Sequence, residues 1–144
     1  MNFKRFFMSQ IIIKGIEELI NEAKEISKII TFEDAKKNLN NEDFIYIDIR
    51  DYREIVREGK IPGAYSCPRG MLEFWIDPKS PYHKNIFNQN KTYIFYCASA
   101  WRSVLAVKTA TEMGLKPVFH IEGGFNYWVK KGGKVEIVSN KKKV

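Results

Sequence analysis

Cys97 and Arg102 stand five positions apart, with only small residues and one tryptophan between them: Ala98-Ser99-Ala100-Trp101. An apolar run, Thr92-Tyr93-Ile94-Phe95-Tyr96, leads into the cysteine, and residues 101–113 follow with helical spacing. A short turn between a strand end and a helix start lets backbone N–H groups curl around the sulfur. Those groups, the positive end of the helix and Arg102 stabilise an anion at the loop centre. A thiolate is such an anion, and the same cradle suits a persulfide or a bound oxyanion. Ser103 closes the segment. The bland alternative is a cysteine packed as a small hydrophobe at a strand end. Arg102 either faces the anion or turns back to a carboxylate such as Asp48 and holds the loop's shape.

Other residues have secondary claims. Arg69 follows a short strand, in the turn Pro68-Arg69-Gly70-Met71, where it would guide an anionic donor or sit in solvent. Met71, Phe74 and Trp75 have short-helix spacing and line either the core or a substrate pocket. Cys67, at the end of that strand, either accepts sulfur from Cys97, pairs with it reversibly, or packs. Gly123 and Gly124 allow a turn to approach the Cys97 loop closely, or simply start a helix. His120, inside an apolar strand, reads as structural. His83 is a lone loop histidine without a cysteine or carboxylate cluster, which makes it a poor metal ligand.

The elements that must position these residues alternate. Ile12, Ile16, Leu19, Ala23 and Ile26 mark an amphipathic helix over 9–27, opened by Ser9, that packs on the domain or recruits a partner. Ile29-Ile30 is a short strand, and Thr31 caps a helix over 32–39. Residues 44–49 form a strand buried on both faces. A helix over 51–58 ends at Gly59, a short strand covers 64–67, and a short helix covers 71–76. Residues 77–90 are a proline-containing loop. In the 101–113 helix, Val104, Leu105, Val107, Ala110 and Met113 turn inward, opposite Lys108, Thr109 and Glu112. A strand over 117–121 and a helix over 125–131 complete the chain. Such alternation predicts an α/β fold, an open parallel sheet with helices on both faces and the site beyond the strands' carboxyl ends.

At 144 residues, 44% hydrophobic and 28% charged, the chain has the composition of one globular domain, which excludes global disorder. Two cysteines cannot build a disulfide framework. The formal charge of +7 includes the terminal Lys141, Lys142 and Lys143, and the remaining basic residues are interleaved with acids. That pattern is a solvated surface rather than a nucleic-acid face, with a mild field that favours small anions. No apolar run approaches a membrane span or a secretory h-region, so the expected location is the cytoplasm without membrane attachment. Met8-Ser9 looks like an alternative chain start, leaving residues 1–7 as a dispensable extension.

The segment Tyr96-Cys97-Ala98-Ser99-Ala100-Trp101-Arg102-Ser103 resembles the active-site loop of rhodanese-like sulfurtransferases: Cys, four residues, Arg, then Ser or Thr. Further blocks match the family in order: Asp48-Ile49-Arg50, Glu58-Gly59-Lys60-Ile61-Pro62-Gly63-Ala64, Pro68-Arg69-Gly70-Met71-Leu72-Glu73-Phe74-Trp75, Ser80-Pro81-Tyr82-His83-Lys84, and Ile121-Glu122-Gly123-Gly124-Phe125. The resemblance implies five strands and a rhodanese-like domain over 29–137. Residues 1–28 would be an N-terminal extension with its helix, and 138–144 a basic tail. It implies a persulfide on Cys97, loaded by thiosulfate or another small anionic sulfane donor. A thiol, cyanide or protein acceptor would unload it, with no cofactor or metal. Asp48, Arg50, Gly123 and Gly124 would support the loop. The family often has glycine where Ala100 stands, so a left-handed backbone there would strain this loop. Two other functions remain open: a persulfide carrier or binding module, and a phosphatase or arsenate reductase, whose related loops carry five residues between Cys and Arg rather than four.

Overall fold

Alternate side chains of a strand leave a sheet on opposite faces, and the central strands of this chain follow that rule. From β4 (Thr92–Tyr96), Tyr93 and Phe95, with Cys97 beyond its end, enter one apolar cluster, while Ile94 and Tyr96 enter another. β2 (Phe44–Asp48) behaves likewise, sending Ile47 one way and Tyr46 the other. The computed structural model describes residues 9–139 and joins these strands to β1 (Lys28–Ile30), β3 (Tyr65–Ser66) and β5 (Val118–Ile121). The order is β1-β5-β4-β2-β3, with every neighbouring pair parallel. A parallel sheet covered on both faces needs strands apolar on both sides, which is why 44–49 and 92–96 read as unbroken apolar runs.

Helices fill both layers. On one face α4 (Leu72–Ile76) and α5 (Trp101–Met113) cover the cluster that holds Cys97. On the other, α2 (Phe32–Lys37) and α6 (Gly124–Lys130) pack through Phe32, Ala35, Phe125 and Trp128. Between β2 and β3 lies α3 (Tyr52–Glu58), opened by a capping box in which Asp51 and Glu54 exchange bonds with each other's backbone. Outermost is α1 (Ile16–Ile26), which packs on α5 and is tied to it by Ser27 Oγ donating to the Val104 carbonyl at 2.8 Å. Among the described residues no helix is long and apolar enough to cross a membrane.

The structure corrects several expected boundaries. α1 begins at Ile16, capped by Gly15, not at Ser9, and Ile11, Ile12 and Ile13 are exposed and non-helical. Three consecutive β-branched residues followed closely by glycine are poor helix formers, and residues this exposed gain little burial to offset that. Its buried residues are Ile20 and Ala23, whereas Ile16, Leu19 and Ile26 stay substantially exposed. In α5, Met113 is exposed while Ser103 and Ala106 are buried: Ser103 bonds the sulfur of Cys97 and Ala106 packs in the cluster that holds it. α2 stops at Lys37, and α6 starts one residue early. Beyond α6, Lys60 and Glu136 exchange backbone bonds of 3.0 and 2.8 Å in an antiparallel bridge, which no periodicity announced. The expectations for residues 1–7, for Met8 and for the terminal lysines lie outside the described residues.

His120 is buried in β5, as its apolar neighbours suggested, and its Nδ1 has no hydrogen-bond partner among the described residues. Burial pushes its pKa down to about 4; a backbone bond at Ile121 opposes the shift and Lys24 adds to it. The unfolded chain therefore binds a proton that the folded chain refuses between the ordinary value of 6.5 and about 4, so stability falls as pH drops through that window. Replacing His120 with leucine should remove this dependence, flattening the unfolding free energy by up to about 1.4 kcal/mol per pH unit. Urea titrations at stepped pH measure the slope; an equal slope in the variant refutes the assignment to His120.

Candidate active site

The loop after β4 closes tightly on its own sulfur. Cys97 is 1% exposed, and the Ser103 N–H donates to Sγ at 3.4 Å from within the first turn of α5. The Cys97 thiol donates to Ser103 Oγ at 3.6 Å, and that hydroxyl donates to the Ala100 carbonyl at 3.2 Å. Ser99 and Trp101 form the exposed rim, Trp101 at 53%, with Ala98 and Ala100 partly covered. Among the described residues, the backbone N–H groups of 98–102 donate to no atom of the chain.

The turn before α6 braces this loop. The Phe125 N–H donates to the Cys97 carbonyl at 2.8 Å, and the Asn126 N–H to the Ala98 carbonyl at 3.0 Å. In a trans peptide the carbonyl and the next N–H point in opposite directions. Holding these two carbonyls against α6 therefore turns the N–H groups of Ala98 and Ser99 away from it. Such close approach needs Gly124: its φ is +67°, and a Cβ there would meet the Ala98 oxygen at 2.6 Å and the Cys97 oxygen at 2.8 Å. Gly123 serves as the N-cap, so the glycine pair both starts the helix and admits the loop. Ala100 is left-handed at φ 80°, the only non-glycine residue with positive φ among those described.

Beneath the loop lies a buried ion pair. Arg50 and Asp48 have side chains with no exposure, joined by Nε to Oδ1 at 3.0 Å and Nη2 to Oδ2 at 2.8 Å. Arg50 also donates to the Gly59 carbonyl at 2.7 Å and to Glu58 at 3.3 Å. Burial alone would lower the guanidinium's pKa, but hydrogen bonding and proximity to Asp48 outweigh it and hold Arg50 above its ordinary value. The guanidinium carbon stands 4.3 Å from the centroid of the Phe125 ring. The ion pair thus stacks on the residue whose N–H holds the Cys97 carbonyl.

Arg102 does turn back to a carboxylate, but that carboxylate is Glu54 of α3 rather than Asp48, which Arg50 already occupies. The pair is bidentate, at 2.9 and 3.0 Å. The bond from Arg102 holds the Glu54 carboxyl below its ordinary range, and the bond to Glu54 raises Arg102. Beside it, Asp51 is pulled down to about 2 by side-chain and backbone bonds from Arg53. Sequence reading had not singled out Glu54; the pattern Asp51-x-x-Glu54, a capping box, was the available signal.

The other candidates separate. Met71 and Trp75 pack against the cluster containing Cys97. Phe74 is exposed instead, edge-on to Tyr82 at 6.3 Å. Arg69 donates to Glu73 at 2.9 Å and to Thr109 of α5 at 3.3 Å. Cys67 has no exposed surface, and burial pushes its thiol up to about 12, so it is not ionised near neutrality. His83 keeps both imidazole nitrogens buried and unpartnered among the described residues.

Residues 31–131 match the rhodanese-like domain family. A mouse protein named thiosulfate sulfurtransferase/rhodanese-like domain-containing protein 3 is 31% identical over 107 residues, spanning 71% of this chain and 68% of its own. A rhodanese domain-containing protein of Drosophila melanogaster is 30% identical over 108 residues, spanning 72% of this chain and 97% of its own. A solved structure from Rhodopseudomonas palustris, described as a protein of unknown function and possible tyrosine phosphatase, is 53% identical. It covers 90% of this chain and 99% of its own with a TM-score of 0.87.

Two substitutions test the loop geometry. Ala100→Gly should relieve the left-handed position, raising stability by about 0.5–1 kcal/mol with the fold retained, as thermal melts will show. A loss of stability would mean the position is not left-handed. Gly124→Ala should push the loop carbonyls off α6, lowering stability by about 1–3 kcal/mol. It should also lower the Cys97 alkylation rate at least several-fold; an unchanged rate would separate the brace from the sulfur.

Proposed function

The chain belongs to the rhodanese-like domain family, and on that premise we propose that it is a sulfurtransferase working through a persulfide on Cys97. One observation carries the reading: the Ser103 N–H lies 3.4 Å from Sγ, in a loop whose carbonyls at 97 and 98 are drawn to α6. The N–H groups of 98–102 and the start of α5 then serve negative charge, as oriented amides do elsewhere. When Cys97 ionises, the Ser103 hydroxyl is free to swing its proton from the Ala100 carbonyl to the sulfur.

Loading begins when the Cys97 thiolate attacks the outer sulfur of a donor such as thiosulfate. The donor's S–S bond breaks, its electron pair leaves with sulfite, and the sulfane sulfur remains as Cys97–S–S⁻. Cyanide, a thiolate or a protein thiol then attacks that outer sulfur, taking it away and restoring the thiolate. Charge is conserved in both steps, and no external oxidant or reductant enters. Two free cysteines and a cycle run by a reduced thiol suit the cytoplasm. Fast loading with slow unloading by small acceptors would make the chain a persulfide carrier on the same chemistry.

The description of the Rhodopseudomonas palustris structure favours a second reading, phosphoester hydrolysis. That reaction needs a proton for its leaving group. The carboxylates beside Arg102 are poor sources: both Glu54 and Asp51 are held ionised by bonds from arginines. Sulfite leaves without a proton. Four loop residues between Cys97 and Arg102 also make a smaller cradle than the five of the phosphatase loops.

Exposure to thiosulfate should add the mass of one sulfur atom to the wild type and none to Cys97→Ser, while Cys67→Ser loads normally. Cyanide should reverse the adduct. Intact-mass measurement decides it, and loading that survives in Cys97→Ser removes this cysteine from the mechanism. Ser103→Ala should slow loading about tenfold, the value of a hydrogen bond worth about 1.4 kcal/mol. Stopped-flow or quench measurement of the first turnover reads that rate, and an unaltered rate denies Ser103 a role at the sulfur.

A further inference from the structure

The full positive charge on the loop belongs to Arg102, and Glu54 cancels it through two bonds of 2.9 and 3.0 Å. Neighbouring arginines are matched in the same way. Arg50 is buried against Asp48, Arg53 is bonded to Asp51, and Arg69, at the carboxyl end of the sheet, is bonded to Glu73. What remains for a ligand is the set of loop amides and the start of α5, equivalent to about half an elementary charge. That suits one negative charge. A second charge on the same small anion would lose water without gaining a cation.

We propose that Glu54 sets the charge of the donor this site accepts, by neutralising Arg102 so that singly charged sulfane donors are favoured over doubly charged ones. The assignment rests on the sulfur-transfer reading above. Glu54 acts through Arg102 and is a positioning residue. Its side chain is 20% exposed against 42% for Arg102, so the carboxylate lies on the better shielded side of the pair. Electrostatic energy scales with the product of charges, so a change of one unit at Arg102 acts twice as strongly, in logarithmic terms, on a dianion as on a monoanion.

Thiosulfate and methanethiosulfonate make the comparison, since a methyl group replaces one charged oxygen and the reacting S–S bond is the same. In both, the Cys97 thiolate takes the sulfane sulfur, and sulfite or methanesulfinate departs with the electron pair. Glu54→Gln keeps the Oε2 acceptor that serves both the Asp51 N–H and Arg102 Nη1, while removing the charge and the second acceptor. It should raise kcat/KM about tenfold for thiosulfate and about threefold for methanethiosulfonate. Adding Arg102→Gln should return the ratio of the two to the wild-type value. Equal changes for both donors, or no change, overturn the assignment.

A comparison on the wild type guards against a variant that does not fold. Sulfate should inhibit no more strongly than methanesulfonate, and inhibition by sulfate tenfold stronger would overturn the proposal. If neither donor loads Cys97, the sulfur-transfer reading fails and this assignment fails with it. Loading by both donors with an unmoved ratio in Glu54→Gln defeats the Glu54 assignment alone.

Discussion

Two carbonyl groups organise this site. Cys97 and Ala98 would expose their oxygens in a free loop, and the loop could then turn either edge of its peptides toward the sulfur. The N–H groups of Phe125 and Asn126 capture those oxygens at 2.8 and 3.0 Å, and peptide planarity converts that capture into an orientation of the next amides. The capture demands that α6 begin against the loop with no Cβ in the way, which Gly124 satisfies. It also demands a left-handed turn to bring the chain round into α5, which Ala100 supplies at some cost. An arrangement held from outside the loop leaves the N–H groups of 98–102 without a partner among the described residues.

The buried Asp48–Arg50 pair extends this control below the loop. Removing both charges from water is expensive, and a pair of this kind is often no more stable than apolar side chains of the same size. Its worth lies in geometry. Arg50 has its donors distributed over Asp48, Glu58 and Gly59, and its guanidinium carbon lies 4.3 Å from the centre of the Phe125 ring. The pair therefore ties the end of β2, the end of α3 and the start of α6 into one rigid unit. Because Asp48 is consumed there, Arg102 must look elsewhere, and the carboxylate that α3 presents is Glu54.

Much of this was readable along the chain. The buried strands 44–48 and 92–96, the helix 101–113 and the glycine pair at 123–124 are each announced by local pattern. The candidate loop lies beyond the carboxyl end of β4, where a parallel sheet is expected to place a site. Other features were not legible, for reasons that are physical. Apolar periodicity ran from Ile12 to Ile26, yet Ile11 to Ile13 found nothing to pack on, and a helix needs tertiary burial more than it needs pattern. Met113 fitted the inward stripe of α5 and is exposed, because it is the last residue of the helix, where the stripe runs past the core. Glu54 reads locally as half of a capping box; that its carboxylate also meets Arg102, 48 positions away, has no local signature.

By itself the amino-acid order determined the alternation of strand and helix, the place of Cys97 at a strand end, and the size of the loop around it. These follow from interactions between residues close in sequence: side-chain period, capping, and the backbone freedom of glycine. Tertiary structure alone decided that Arg102 took Glu54, that Cys67 was sealed from ionisation, and which edge of the loop's peptides faces α6. Those choices depend on groups dozens of residues apart competing for the same few partners, and the competition is settled only when the layers close.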